Sequence, residues 1–167
     1  GYFKRMLVTT TNACMLEVSV DSGAVLLVSE GNPGGSYISI AAHPNEPNIV
    51  VTASVEGIIK LWDLRSLAAL EILDIGKPCH DICFRKNGTC FAVASGNSIV
   101  LVSMNSRAEG KKMNVVSNMQ NIGSSPVSKV QYSPDDSLLA ACSHDSHVYL
   151  IDVDQSSVIT SLAGHAA

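Results

Sequence analysis

An all-β fold of about four repeated antiparallel sheets, most of them four-stranded, follows from three features of this sequence. A strand-end position recurs: Ser19, Asp63, Ser103 and Asp152 stand directly after Val18, Trp62, Val102 and Ile151, at gaps of 44, 40 and 49 residues. A second marker, seen in Ala42-His43-Pro44-Asn45, Phe84-Arg85-Lys86-Asn87 and Tyr132-Ser133-Pro134-Asp135, falls between the first and second predicted strands of three units. Helical periodicity is missing, because Gly, Pro or Asn interrupts every stretch of about 11 or more residues that could carry an i, i+3, i+4, i+7 apolar face.

Taken in order, the first unit (residues 1–35) offers three strands, Arg5 to Thr9, Cys14 to Val20 and Ala24 to Ser29, with no innermost strand ahead of them. The second (36–76) is the best formed: Tyr37 to Ala42, Ile49 to Ala53, Ile58 to Asp63 and Ala69 to Ile75, broken at Pro44, Pro47 and Gly57 where turns are needed. In the third (77–125), His80 to Phe84, Cys90 to Ala94 and Ile99 to Met104 repeat the order, with turns at Lys86-Asn87-Gly88 and Ser95-Gly96-Asn97-Ser98. The polar stretch Asn105 to Lys112 reads as a lengthened connection, Lys112 to Ser117 as the outer strand and Asn118 to Ser125 as a loop, which accounts for the 49-residue gap. The fourth (126–163) runs Val127 to Tyr132, Leu138 to Ser143, His147 to Val153 and Val158 to Leu162.

A period of about 40 to 45 residues, several short strands per unit and one strand ending in Trp-Asp are the sequence mark of a WD40 β-propeller. About four blades are expected, as part of a larger propeller. Leu7-Val8-Thr9-Thr10 through Leu16-Glu17-Val18, Ile40-Ala41-Ala42-His43-Pro44, Ile59-Lys60-Leu61-Trp62-Asp63, and Tyr132-Ser133-Pro134-Asp135 through Ser143-His144-Asp145 to Ile151-Asp152-Val153 resemble successive blades of the echinoderm microtubule-associated protein-like family. In proteins of this pattern a Gly-His dipeptide opens a new unit, so Gly164-His165 reads as the start of a next one (164–167). The resemblance marks Trp62, Asp63, Asp145, Asp152 and His165 as structural repeat positions.

Composition narrows the function classes. With 167 residues, 46% hydrophobic and 16% charged, the chain can bury a sizeable core. Net charge is −4, and the densest basic groups are only Lys4-Arg5 and Lys111-Lys112, so no stripe tracks a phosphate backbone and nucleic acid is not an expected partner. Apolar runs such as Leu138 to Cys142 fall far short of a membrane span. No secretory signal pattern is visible. The five cysteines sit mostly inside apolar strand patterns and read as small buried hydrophobes in a reducing compartment.

Candidate chemistry is sparse. Ser143-His144-Asp145 holds the residue types of a hydrolase triad, but adjacent residues in a β-turn seldom place a base about 3 Å from the nucleophile with the acid behind it. In the WD40 pattern Asp145 is a turn residue that accepts hydrogen bonds and holds a blade corner. Cys79-His80-x-x-Cys83 suggests a metal site, yet in a strand the two cysteines share a face about 13 Å apart, too far for one zinc ion. Gly31-Asn32-Pro33-Gly34-Gly35 lacks the lysine of a phosphate-binding loop and reads as a connection between blades. Trp62, the only tryptophan, reads as core, with an indole N–H that needs a partner when buried.

No catalytic residue, cofactor or metal is assigned. The expected function is a non-enzymatic protein-interaction scaffold whose loops carry the binding surface. The resemblance implies tubulin or microtubules as partner and a cytoplasmic, cytoskeletal location. The alternative is a WD40 subunit that recruits substrates to, or assembles, another complex such as a ubiquitin ligase. Open sheet faces at the outer blades are expected to favour self-association.

Overall fold

The computed structural model describes residues 5–29, 35–107 and 110–164, all of whose regular structure is β. Strands β1 (Arg5–Thr9), β2 (Met15–Ser19) and β3 (Val25–Ser29) form a three-stranded sheet, unit 1. Unit 2 is β4 (Tyr37–Ala42), β5 (Ile49–Ser54), β6 (Ile58–Asp63) and β7 (Ala68–Asp74). Unit 3 is β8 (Cys79–Phe84), β9 (Cys90–Ser95), β10 (Ser98–Arg107) and β11 (Gly110–Met119), and unit 4 is β12 (Val127–Tyr132), β13 (Leu138–Ser143), β14 (His147–Asp152) and β15 (Ser157–Ala163). Each sheet is an antiparallel meander in chain order, the architecture of WD40 propeller blades.

The repeat is visible in the pairing itself. Ser19 opposes Arg5, Asp63 opposes Ile49, Ser103 opposes Cys90 and Asp152 opposes Leu138, so each strand-end residue faces the first residue of the preceding strand. Bulges also repeat: Tyr37/Ser39, Cys79/Asp81 and Val127/Lys129 in the innermost strands, Leu61/Trp62, Leu101/Val102 and Leu150/Ile151 against the outermost. Each bulge adds a residue and turns the strand more tightly, which lets a short strand wrap toward the next blade.

Three cores lie in series, one between each pair of neighbouring sheets. Met15 and Val28 of unit 1 meet Tyr37, Val50 and Trp62 of unit 2. Val51, Ile59 and Leu61 on the opposite face of unit 2 meet Phe91, Val93 and Val102 of unit 3. Ala92, Ile99 and Leu101 then meet Val130, Leu139 and Ile151 of unit 4. A strand buried on both faces explains why β5 and β9 read as continuous apolar runs rather than alternating ones.

Two expectations are corrected. The described residues of the polar stretch after Met104 are strand: β10 and β11 continue as a two-stranded ribbon in which Met104 opposes Met113, Asn105 opposes Lys112 and Arg107 opposes Gly110, past the last β9 pairing at Cys90. β11 also takes in Asn118 and Met119, which pair with Val100 and Ile99. The strand-end residues supply the reason. The Ser19 hydroxyl and the Asp63 and Asp152 carboxylates each accept a backbone N–H, from Ser22, Arg65 and Gln155, folding the chain into a turn. Ser103 instead donates across the ladder to the Asn114 carbonyl, and its strand runs on.

The second correction concerns Cys79 and Cys83. The bulge between Cys79 and Asp81 shifts the strand parity, so the two thiols leave opposite faces of β8. Cys79 joins the core between units 2 and 3, and Cys83 packs against the core between units 3 and 4.

Candidate functional site

The innermost strands carry a polar belt that ties three blades together. Ser39, Asp81 and Lys129 occupy equivalent bulge positions on β4, β8 and β12. The buried Asp81 carboxylate accepts the Ser39 hydroxyl at 3.0 Å, the Lys129 ammonium at 3.2 Å and the Val130 N–H at 3.1 Å. Ser39 in turn accepts the Ile82 N–H. The Lys129 side chain is 72% exposed, so its ion pair is screened and the backbone N–H is the contact that matters energetically.

The turns after the innermost strands, where the second sequence marker lies, form a linked rim at one end of the blades. Asn45 donates to the Asn87 carbonyl at 3.1 Å, and the Asp136 carboxylate accepts the Lys86 and Asn87 N–H groups. Arg85 reaches across to the Asp136 carbonyl at 3.0 Å. Further back, Arg5 of unit 1 donates to the Asn48 side chain. A shallow cavity of about 240 Å³ opens between the first two turns, lined by His43, Asn45, Glu46, Asn87, Thr89 and Met104 among others.

His43 is the buried post under this rim. Its Nδ1 accepts the Asn45 and Glu46 N–H groups, which leaves Nε2 to carry the proton and donate to the Gly88 carbonyl at 3.0 Å. The ring meets Phe84 edge-on at 5.2 Å, and Phe84 meets Phe91 likewise. Gly88 has φ +75°, and a Cβ there would lie 2.4 Å from the imidazole. Gly88→Ala is therefore expected to cost about 2 kcal/mol from the left-handed backbone and the displaced ring together, measured as a lowered urea midpoint at unchanged m.

At the opposite end, Asp145 organises the corner of unit 4. Its carboxylate accepts the Ser124 N–H at 2.9 Å, the Ser124 hydroxyl, the Tyr149 hydroxyl at 2.9 Å and the His147 N–H at 3.2 Å. Burial works to raise its pKa, but the hydrogen bonds from Tyr149, Ser124 and His147 outweigh that and hold it well below the usual carboxylate range. Gly123 makes room, since a Cβ would stand 2.5 Å from the carboxylate. A depressed pKa stabilises the fold above the unfolded value near 3.9, and that contribution drains away as pH falls toward the folded value. The melting-temperature gap between the unmodified chain and Asp145→Asn is thus expected to be full at pH 7 and to shrink steadily below about pH 4.

The other sequence-marked residues find structural surroundings. Trp62 is buried in the core between units 1 and 2, and its indole N–H donates to the Thr52 hydroxyl at 2.9 Å. Asp63 and Asp152 close their strands as described, Asp63 with Arg65 also clamped on its carboxylate. His165 and residues 31–34 lie outside the described residues. The Ser143 hydroxyl donates to the Ser125 carbonyl, and with the Asp145 carboxylate held by Ser124 and Tyr149 the Ser-His-Asp tripeptide forms no relay. Among the described residues no three His, Cys, Asp or Glu side chains converge as metal ligands. Burial, with the Asp74 carboxylate nearby, pushes the Cys79 thiol up to about 12, leaving a packing group rather than a nucleophile. The Asp81 belt lies outside every motif marked in the sequence, and Gly123-Ser124 lies in the expected loop between units 3 and 4, where nothing local distinguishes it.

Comparison with known proteins agrees with this geometry. Residues 24–63 and 116–152 match the WD40 family described as "WD domain, G-beta repeat". Both matches begin in an outer strand and end at a strand-end aspartate, Asp63 or Asp152, offset by one strand from the sheets. The chain is 29% identical over 157 residues to "Echinoderm microtubule-associated protein-like 2" of Homo sapiens, covering 93% of this chain and 22% of that protein. It is 28% identical over 152 residues to the protein of the same name from Mus musculus, covering 90% and 22%. The chain thus spans about a fifth of the length of these curated relatives.

Proposed function

We propose that this chain, built of WD40 repeats and similar to echinoderm microtubule-associated protein-like 2, is a non-enzymatic scaffold that binds tubulin or microtubules and works at the cytoskeleton in the cytoplasm. WD40 blades are an architecture for protein interaction, and the likeness over 93% of the chain carries the choice of partner. The local geometry supports a scaffold role: Asp81, Asp136, Asp145 and His43 are committed to holding strands and turns in place, which presents the rim residues on a rigid frame.

Co-sedimentation with stabilised microtubules tests the reading. The folded chain is expected to pellet saturably with polymer. With a net charge of −4 and no basic stripe, its binding should persist at about 0.15 M salt, where long-range attraction between exposed charges is screened. A chain that stays in the supernatant at every polymer concentration would remove tubulin as the partner while leaving the scaffold fold untouched.

A further inference from the structure

The cavity at the junction of units 2 and 3 has a filled counterpart at the next junction. His43 and Arg85 each stand directly after an innermost strand, β4 or β8. Each donates to the carbonyl of a left-handed turn residue in the following unit, His43 to Gly88 (φ +75°) and Arg85 to Asp136 (φ +63°). Gly88 and Asp136 are themselves equivalent, since each lies four residues past the end of its strand, Phe84 or Tyr132. Between units 3 and 4 the Arg85 guanidinium thus lies against a carbonyl and two carboxylates, Asp136 at 3.9 Å and Asp154 at 3.8 Å. Between units 2 and 3 the shorter imidazole takes its place, and the cavity of about 240 Å³ opens beside it.

Three elements wall that cavity: the turn holding Asn45 and Glu46, the turn from Asn87 to Thr89, and the base of the β10–β11 ribbon at Met104 and Asn105. The ribbon is pinned there by the Met104 N–H, which donates to the Thr89 carbonyl at 2.8 Å. Donors at the wall are spent within the protein: His43 Nε2 on Gly88, the Thr89 hydroxyl on the Asn87 side-chain oxygen, and the Asn45 amide on the Asn87 carbonyl. What these bonds leave over is acceptors, namely the Asn45 side-chain oxygen, the Thr89 hydroxyl lone pairs and the 45% exposed Glu46 carboxylate. Glu46 is also within electrostatic reach of Arg65, but that guanidinium is clamped on Asp63 at 2.6 Å. Among the described residues that line the cavity there is no Lys or Arg.

We infer that this cavity anchors an arginine side chain of a protein partner, seated as Arg85 is seated at the next junction. A planar guanidinium carries five donors in a fixed fork, which suits a carboxylate and neutral oxygens set around one opening, and its flat face suits an apolar wall such as the Met104 thioether. The inference rests on the scaffold reading, to which it adds a point of contact, and not on tubulin as the partner.

Two pentapeptides test it, acetyl-Gly-Gly-Arg-Gly-Gly-amide and its citrulline counterpart, which keeps the shape and loses the charge. Titrated into isotope-labelled chain at about 0.15 M salt, the arginine peptide is expected to shift the amide resonances of Glu46, Asn87 to Thr89 and Asn105 along one saturable curve, with Kd on the order of 1 mM for a single anchoring side chain. The citrulline peptide is expected to bind at least ~10-fold more weakly, and Glu46→Gln to weaken the arginine peptide by a similar factor. Asp154→Asn removes an 81% exposed carboxylate elsewhere on the same rim and should leave the affinity unchanged. Glu46→Gln keeps the backbone N–H that caps His43; should its spectrum nonetheless show a disturbed fold, Asn105→Lys, which sets a cation of the chain's own at the ribbon wall, is expected to abolish binding. No saturable shift with the arginine peptide, equal binding of the citrulline peptide, or equal weakening by Glu46→Gln and Asp154→Asn overturns the inference. Neither peptide contains tubulin, so loss of microtubule co-sedimentation and loss of these shifts are separate results.

Discussion

Replacing Trp62 by Ala is expected to lower stability by about 3 to 5 kcal/mol, the largest effect of any single change considered for this chain. The indole is 5% exposed and fills the space between Met15 of unit 1 and Val50 and Leu64 of unit 2. Its removal leaves a cavity between two sheets that rest on rigid ladders and cannot close over it. It also strips the Thr52 hydroxyl, itself buried, of the indole N–H it accepts. For a chain of this size the loss corresponds to a melting temperature lower by roughly 10 °C. Trp62→Phe should recover much of the packing but not the hydrogen bond. A measured loss below about 1 kcal/mol for the Ala variant would mean the indole is not core, and a ligand-facing role would then be the better account.

Asp81→Ala is expected to cost about 3 kcal/mol, although Asp81 is one short side chain in an innermost strand. The substitution leaves the Val130 N–H without its acceptor in a buried setting and takes the acceptor from the Ser39 hydroxyl, so the belt loses its link to β12 and keeps toward β4 only the Ile82 N–H bond to Ser39. Asp81→Asn keeps an oxygen for the Val130 N–H and should cost less than half as much. Lys129→Ala removes only the screened ion pair and should cost below about 1 kcal/mol. Urea denaturation of the three variants orders these contributions; equal losses for Asp81→Ala and Lys129→Ala would show that the ion pair, not the backbone contact, holds the belt.

The sheets were legible because their information is local. A strand buried on one or both faces must be apolar, a turn needs Gly, Asn, Asp or Pro, and Asp63 and Asp152 terminate their strands through hydrogen bonds to residues two or three positions on. The ribbon was not legible, because beyond the Met104–Met113 pair, which still packs on the core between units 2 and 3, β9 does not continue beside it to enforce alternation, and Asn105 to Lys112 reads as polar connection. Ser103 gave no signal of it, because Ser19, a serine at the same strand-end position, closes its strand in a turn. The Asp81 belt was hidden for a different reason: a lone Asp in Cys79-His80-Asp81-Ile82 looks like a defect in a strand, and its partners lie 42 and 49 residues away. The bulges that place Ser39, Asp81 and Lys129 in one row also reversed the expected facing of Cys79 and Cys83, since a single inserted residue is invisible to a period-two pattern.

Three cores in series, each shared by only two sheets, give this molecule a graded rather than a uniform resistance to opening. Free energy in such an array is close to a sum of unit and nearest-neighbour terms, so a sheet with a core on each side is held by two of those terms and an outer sheet by one. Amide protons in β5 and β9 should therefore exchange only through the rarest openings, while those of β2 and β14 exchange through partial events that leave the middle intact. Whatever covers an outer sheet supplies its missing neighbour term, and protection there would rise without any change in the sheet itself.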